Sequence, residues 1–304
     1  MDVRILAKGS RPIHSLAMKC LARGAKCQNC SMKLFETMRS RVRTGLRTWV
    51  PLAWRQAVAQ RRRHHRDRAQ GLVFVGLGQI PEFRVASDSN SGSRAEKALK
   101  MAPRIDLQQR IVPGQMYENK LQNLRRGASL VDGIVLQPGQ AFSFWHCIGQ
   151  ASRENGFVEG RNIIQGRLQR ELGGGLCQLS SLLYHLALLG GLHIMEWHPH
   201  SIDLYREEDR FAPLGADATV VWGVKDLRWS NPFPFAIQLR CWESEGGLYA
   251  TLSGESPWQA RRVEFIRECL PQRNVGSRVR VTTLVDGVSQ VQTDYLQKPG
   301  MMLS

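Results

Sequence analysis

The sequence predicts an α+β fold: a mixed or antiparallel sheet packed around one prominent buried helix, with a basic N-terminal extension. Three observations lead there. Leu176, Leu179, Leu183 and Leu186 recur at helical spacing between Gly173-Gly174-Gly175 and Gly190-Gly191. Runs such as residues 235–242 and 247–253 are rich in β-branched and aromatic residues and bounded by turn residues. Charge is concentrated at one end. Residues 1–70 hold 17 lysines and arginines against Asp2, Glu36 and Asp67, a net +14 of the chain's +16. The remainder is close to neutral, so it does not read as a strongly basic nucleic-acid-binding domain.

A chain of 304 residues, 42% hydrophobic, can build a sizeable core as one large domain or two modest ones. It contains no run of eighteen apolar residues, so no spanning helix is expected. Its first residues lack the apolar stretch of a secretory signal, and the expected compartment is the cytoplasm, with peripheral attachment at the inner membrane. Seven scattered cysteines do not form a disulfide framework.

In order along the chain, residues 1–86 read as a basic, partly helical extension. Helices are expected at 32–38 and 46–58, the second with Leu46, Trp49, Val50 and Trp54 on one face. Such a helix suits an anionic membrane surface, with nucleic acid as the less favoured partner. Cys27 and Cys30 form a lone CxxC, with Cys20 nearby; a zinc site normally needs a second pair, and none follows. Residues 87–104 are a linker, Ser-rich at 87–93. The main domain is expected over 105–258, and 259–304 as a strand-rich C-terminal extension.

Within the domain, residues 116–129 are polar with Leu121 and Leu124 in register, a short helix that also carries Lys120. A strand is expected at 130–136, a turn at Pro138-Gly139 and a second strand at 140–145. Residues 149–166 read as a loop. The helix 176–189 comes next, then a strand at 192–197 that delivers His198-Pro199-His200. Further strands are expected at 217–222, 235–242, 247–253 and 278–285.

Four ordered segments resemble the VanW family. Pro138-Gly139-Gln140-Ala141-Phe142-Ser143-Phe144 is similar to its PGE-x-FSF signature. Gly173-Gly174-Gly175-Leu176-Cys177-Gln178-Leu179-Ser180 is similar to GGG-x-CQ-x-S/T. Glu196-Trp197-His198-Pro199-His200-Ser201 and the stretch from Leu214 to Thr219 resemble two later elements. The resemblance spans about residues 110–255 and looks like the short, soluble form of the family. Gln140 stands where the family often has Glu, which argues against an essential carboxylate there. The resemblance implies a link to cell-envelope biology and glycopeptide-resistance clusters, with a cell-wall precursor or peptide as partner. It supplies no reaction.

The residues themselves permit chemistry. Cys177 begins a helix, where unpaired amides lower a thiol's pKa. His198 and His200 lie two apart at a strand end, Asp217 enters a later strand, and Asp203 is closer in sequence. A thiol, an imidazole and an orienting carboxylate make a cysteine nucleophile site. Cys177, His198, His200 and Asp217 are therefore the candidate catalytic residues of a hydrolase or acyltransferase. Gly174, Gly175, Gln178, Ser181, Arg161 and Glu159 are the candidate substrate-binding residues, with the Gln178 amide as an oxyanion donor. No cofactor is expected. Metal binding by Cys177, His198 and His200 is the competing use of the same side chains. A purely structural Cys177, packed as a small apolar group, is another. A non-catalytic binding module is the alternative function, using Trp145, Trp197, Trp222 and Trp229 as a groove. His185, Cys147, Cys241 and Cys269 are expected to be structural.

Overall fold

The computed structural model describes residues 52–69, 71–75, 104–164, 167–255, 257–270 and 277–298. The chain divides into two compact units, residues 1–55 and 56–304, and the second contains all of the described strands. The expected helix at 32–38, Cys20, Cys27, Cys30 and the Ser-rich linker lie outside the described residues.

The elements are α1 (Leu52–Ala69), β1 (Arg104–Arg110), α2 (Tyr117–Val131), β2 (Val135–Leu136), β3 (Ala141–Ser143) and α3 (Phe144–Ile148). Next come β4 (Glu159–Ile164), β5 (Arg167–Leu172), α4 (Leu176–Leu189), β6 (His193–Glu196), β7 (Ile202–Asp203) and β8 (Arg228–Ser230). The chain closes with β9 (Ile237–Ser244), β10 (Gly247–Ser253), β11 (Val263–Leu270), β12 (Ser277–Val285) and β13 (Val288–Gln297). The fold is α+β, with mixed and antiparallel sheets.

One antiparallel sheet runs β1-β10-β9-β2, its central hairpin pairing Gly247 with Ser244 and Ser253 with Gln238. Alternation sets its inner face: Ile237, Leu239 and Cys241 of β9 are buried while Arg240 and Trp242 face out. Two helices cover that face. α2 buries Leu121, Leu124, Ala128 and Val131, and α4 buries Leu179, Leu182, Leu183 and Leu186. Each such leucine contributes about 1.5–3 kcal/mol by leaving water. The helices approach closely at Gly127, where a Cβ would come within 2.8 Å of a Leu179 methyl. The core is thus shared between two helices rather than built on one.

A second sheet, β11-β12-β13-β7, is antiparallel except for β7, which joins β13 in parallel through Leu296–Ile202 and Gln297–Asp203. Its own small core is Leu214, Val279, Val281 and Tyr295. A third sheet, β3-β8-β6, and the β4-β5 hairpin complete the unit. α1 is held by Asp67, which accepts from Arg228 at 2.5 and 3.1 Å, and by the Arg63–Glu196 ion pair.

Several local expectations change. Residues 130–131 finish α2, leaving only two residues of strand at 135–136. The strand at 140–145 stops at Ser143, whose hydroxyl accepts from the His146 amide and starts α3. The loop at 149–166 contains β4, paired to β5. Residues 217–222 form no strand beyond a single bridge, Val221 to Lys225. Their backbone bonds go elsewhere: the Ala218 amide donates to the Ser181 hydroxyl and the Thr219 amide to His198 O.

Candidate active site

The start of α4 is shaped by three glycines with different tasks. Gly175 caps the helix at φ 105°, a backbone conformation that a side chain resists. Gly174 lies against the backbone of β4; a Cβ there would sit 2.3 Å from Gly160 C and 2.8 Å from Arg161 N. Asn123, fully buried on α2, fastens this crossing. Its amide nitrogen donates to Gly174 O at 2.9 Å and Val158 O at 3.0 Å, and its oxygen accepts from the Val158 amide. Cys177 is consequently held at a fixed point in the first turn.

The thiol faces His200. The imidazole Nδ1 bonds Asp217 Oδ2 at 2.8 Å, and the His200 amide donates to the same oxygen at 2.7 Å. That leaves Nε2 on the side of Cys177, whose thiol His200 influences more than any other side chain does, while the sulfur itself contacts Val220 O at 3.9 Å. The other carboxylate oxygen, Oδ1, accepts from the buried Tyr295 hydroxyl at 2.6 Å. Behind these groups, Ser180 donates to Ala218 O and Ser181 to Cys177 O, while the Trp197 indole donates to Asp217 O. The two segments carrying His200 and Asp217 are therefore laced to the helix that carries Cys177.

Electrostatics separate this cysteine from the others. Burial, with the nearby Asp226 charge and against a backbone hydrogen bond at Ser143, pushes the Cys147 thiol up to about 12, and burial with the Asp132 charge raises Cys241 as well. Burial also raises Cys177, but the hydrogen bond and charge of His200 overcome it and hold the thiol below its ordinary value. His200, although burial works against its charge, is raised to about 10 by Asp217 and Cys177. Asp217 is held low by His200 and Tyr295 against its own desolvation. The directions of these shifts favour a thiolate beside an imidazolium, with a carboxylate bracing the ring.

A cavity of about 260 Å³ opens on this pair. Its walls include Val112, Ile202, Leu204, Phe211 and Leu214, and its polar lining includes Lys120, Arg161, Cys177, His200 and Asp217.

The sequence-expected residues separate into those that reach this cavity and those that do not. Cys177, His200 and Asp217 come together. His198 does not join them: its Nε2 bonds Glu196 Oε1 at 3.0 Å, within the ion network of Arg63 and Arg228. The two histidines do not share one task, because β6 ends at Glu196 and residues 197–200 no longer follow the strand. Asp203 is taken by Arg210, with Nη1 at 3.0 Å from Oδ1. Gly175 and Gln178 line the cavity. Gln178 is spent structurally, its Nε2 donating to Arg110 O and its amide to Gly175 O, so that amide is not available as an oxyanion donor. Gly174 and Ser181 are packed into the support, and Glu159 pairs with Arg153 at the surface. Arg161 lines the cavity.

Among the described residues no cluster of three His, Cys, Asp or Glu is arranged to hold a metal ion. The tryptophans make no open groove: Trp145 and Trp229 are buried, and Trp197 stacks on Tyr184 at 4.8 Å. His185 packs edge-on to Phe265. Lys120 and Tyr295 are cavity residues that sequence reasoning did not select. Lys120 was visible as a polar residue next to the apolar stripe of α2; Tyr295 carried no signal, being a lone tyrosine on a distant strand.

Residues 119–253 match the family of VanW-like proteins. The uncharacterized protein YoaR of Bacillus subtilis is 31% identical over 135 residues, 44% of this chain and 43% of its own length. The vancomycin B-type resistance protein VanW of Enterococcus faecalis is 33% identical over 122 residues, 40% of this chain and 44% of its own. Each match thus spans less than half of the relative's length. No solved structure matches the chain significantly.

Proposed function

For a chain whose residues 119–253 match the VanW family, we propose a cysteine-dependent acyl-transfer enzyme, a hydrolase or acyltransferase acting on an amide of a cell-envelope precursor. One observation carries the chemistry: a thiol held below its ordinary pKa by an imidazole whose far nitrogen sits 2.8 Å from a carboxylate, at the wall of a cavity. The vancomycin-resistance name of one relative supports an envelope precursor as substrate.

In the proposed sequence, the Cys177 thiolate adds to the amide carbonyl and its π electrons move to oxygen. The Leu176 and Gln178 amides are taken by the Gly173 and Gly175 carbonyls. The Cys177 amide between them is the donor we assign to that oxyanion. As the C–N bond breaks, the His200 imidazolium gives its Nε2 proton to the leaving amine, and a thioester remains. Water or an amine then attacks the thioester, His200 takes its proton, and the C–S bond breaks to restore the thiolate. Asp217 keeps the imidazole oriented and charged throughout.

The test is mass spectrometry of the intact chain incubated with a peptidoglycan peptide digest. The reading expects an acyl adduct on Cys177 that Cys177→Ala abolishes and His200→Gln suppresses. A thiol that titrates like free cysteine and forms no adduct would remove it. The alternative, a binding module using the same cavity without chemistry, expects Cys177→Ser to bind the digest as the wild type does and to release no product in either form. Separately, the exposed Arg61, Arg62, Arg66 and Arg68 of α1 support docking on an anionic membrane surface. Cosedimentation with anionic vesicles, weakening as salt rises, is the expected outcome.

A further inference from the structure

The cavity beside Cys177 contains a cation that the thiol chemistry does not use. Lys120 projects from the first turn of α2 and lays its stem on the cap of α4: its Cγ is 3.0 Å from where a Gly175 side chain would begin. It lines the same cavity as Cys177, two residues beyond that cap. Arg206 and Asp209 also line the cavity, and two further charges on its wall have partners of their own. Arg210 is held by Asp203 and Glu207, and Asp217 by His200 and Tyr295. The Lys120 ammonium has no ion-pair or hydrogen-bond partner among the described residues. Arg161 lines the cavity as well and adds positive potential to the same wall.

A lysine kept without a counter-ion in a half-buried site costs stability. Its burial is strong enough to bring it down to about 8. Such a cost is offset when a ligand supplies the missing anion. The remaining walls, with Val112, Ile202, Leu204 and Phe211, suit an apolar ligand body.

Resting on the cysteine chemistry proposed above, we infer that the substrate carries a carboxylate close to its reacting carbonyl, and that Lys120 binds it. The substrate class is an acyl donor with an apolar body and an anionic end, as a peptide presents when cut near its C-terminal carboxylate. Lys120 acts here as a specificity residue, holding the anion at the N-terminal end of α4, where the helix amides add to the attraction.

Two alkylating reagents of nearly equal size test this. Iodoacetate carries a carboxylate on the reacting carbon and iodoacetamide a neutral amide. With either, the thiolate sulfur forms a C–S bond as the C–I bond breaks and iodide leaves. Rates at Cys177 are read by peptide mass spectrometry on the full chain, with the exposed Cys269 as internal reference. The expected result is an iodoacetate-to-iodoacetamide ratio roughly tenfold higher at Cys177 than at Cys269, about the worth of one charge-assisted hydrogen bond. The excess shrinks with added salt, collapses in Lys120→Met and returns in Lys120→Arg. An excess that survives in Lys120→Met overturns the assignment, because His200 alone then supplies it. No excess, with rapid iodoacetamide labelling, overturns the anion site and leaves the nucleophile standing. Failure of both reagents at Cys177 removes the nucleophile and the anion site with it.

Discussion

The Tyr295 hydroxyl donates to Asp217 Oδ1 at 2.6 Å, joining β13 to the carboxylate that orients His200. Tyr295 lies outside the segment 119–253 that defines the family match. The last sheet therefore completes a site whose other members belong to that segment. Tyr295→Phe removes only the oxygen. It leaves one carboxylate oxygen buried without a partner and is expected to cost about 1–2 kcal/mol. It also loosens Asp217 and slows Cys177 alkylation near neutral pH. Denaturant titration and labelling kinetics read the two effects separately.

The pH dependence comes from the shifts. Cys177 is held low and His200 raised to about 10, so the ion pair exists between the two values. Iodoacetamide labelling of Cys177 is expected to persist below the ordinary thiol range. Above about 10 the imidazolium loses its proton, but the thiolate remains. Labelling then continues, while acyl transfer falls because the leaving amine has no acid. In His200→Gln the labelling midpoint moves upward. A midpoint unchanged by that substitution contradicts the pairing.

Lys120 is expected to trade stability for binding. A lysine whose pKa is lowered by burial is charged at a cost below about 8, and the cost is relieved as pH rises toward 10.5. Wild-type stability should therefore rise over that interval. Lys120→Met is expected to be more stable at pH 7, by about 2 kcal/mol, and to show no such rise. Denaturant unfolding at pH 7 and pH 10.5 checks it.

Gly174→Ala is expected to destabilise by about 3 kcal/mol, since the added methyl meets main-chain atoms that cannot rotate away. The β4-β5 hairpin must lift from α4, so cavity binding and Cys177 reactivity fall with it. Gly133→Ala is no neutral control despite open space, because its φ of 81° strains any side chain. Gly114→Ala, with open space and an ordinary φ, is the control.

Asp67→Ala leaves Arg228 buried without the carboxylate that accepts its bidentate bonds. The expected cost is about 3 kcal/mol. The loss includes release of α1 from the body, seen as new proteolytic cleavage around residues 60–75 while 104–298 stays protected.

The sequence by itself determined the parts set by local physics. The bounds of α4 follow from a glycine start, leucines at helical spacing and Gly190-Gly191 as a stop. The β9-β10 hairpin follows from alternation across the turn at Glu245 and Gly246. The family resemblance rests on four ordered segments, and one of them, residues 173–180, also carries Cys177. What the tertiary structure decided depends on distances that spacing does not encode. His198 and His200 are equal in sequence, but one turns to Glu196 and the other to Asp217. Residues 217–222 look like a strand, yet their backbone bonds are taken by Ser181 and His198, so that Asp217 faces the imidazole. Lys120 and Tyr295 reach the thiol's cavity only because α2 crosses the start of α4 and β13 pairs with β7. Helices and hairpins are written by neighbours along the chain, whereas a site assembled from residues 120, 177, 200, 217 and 295 is written by packing.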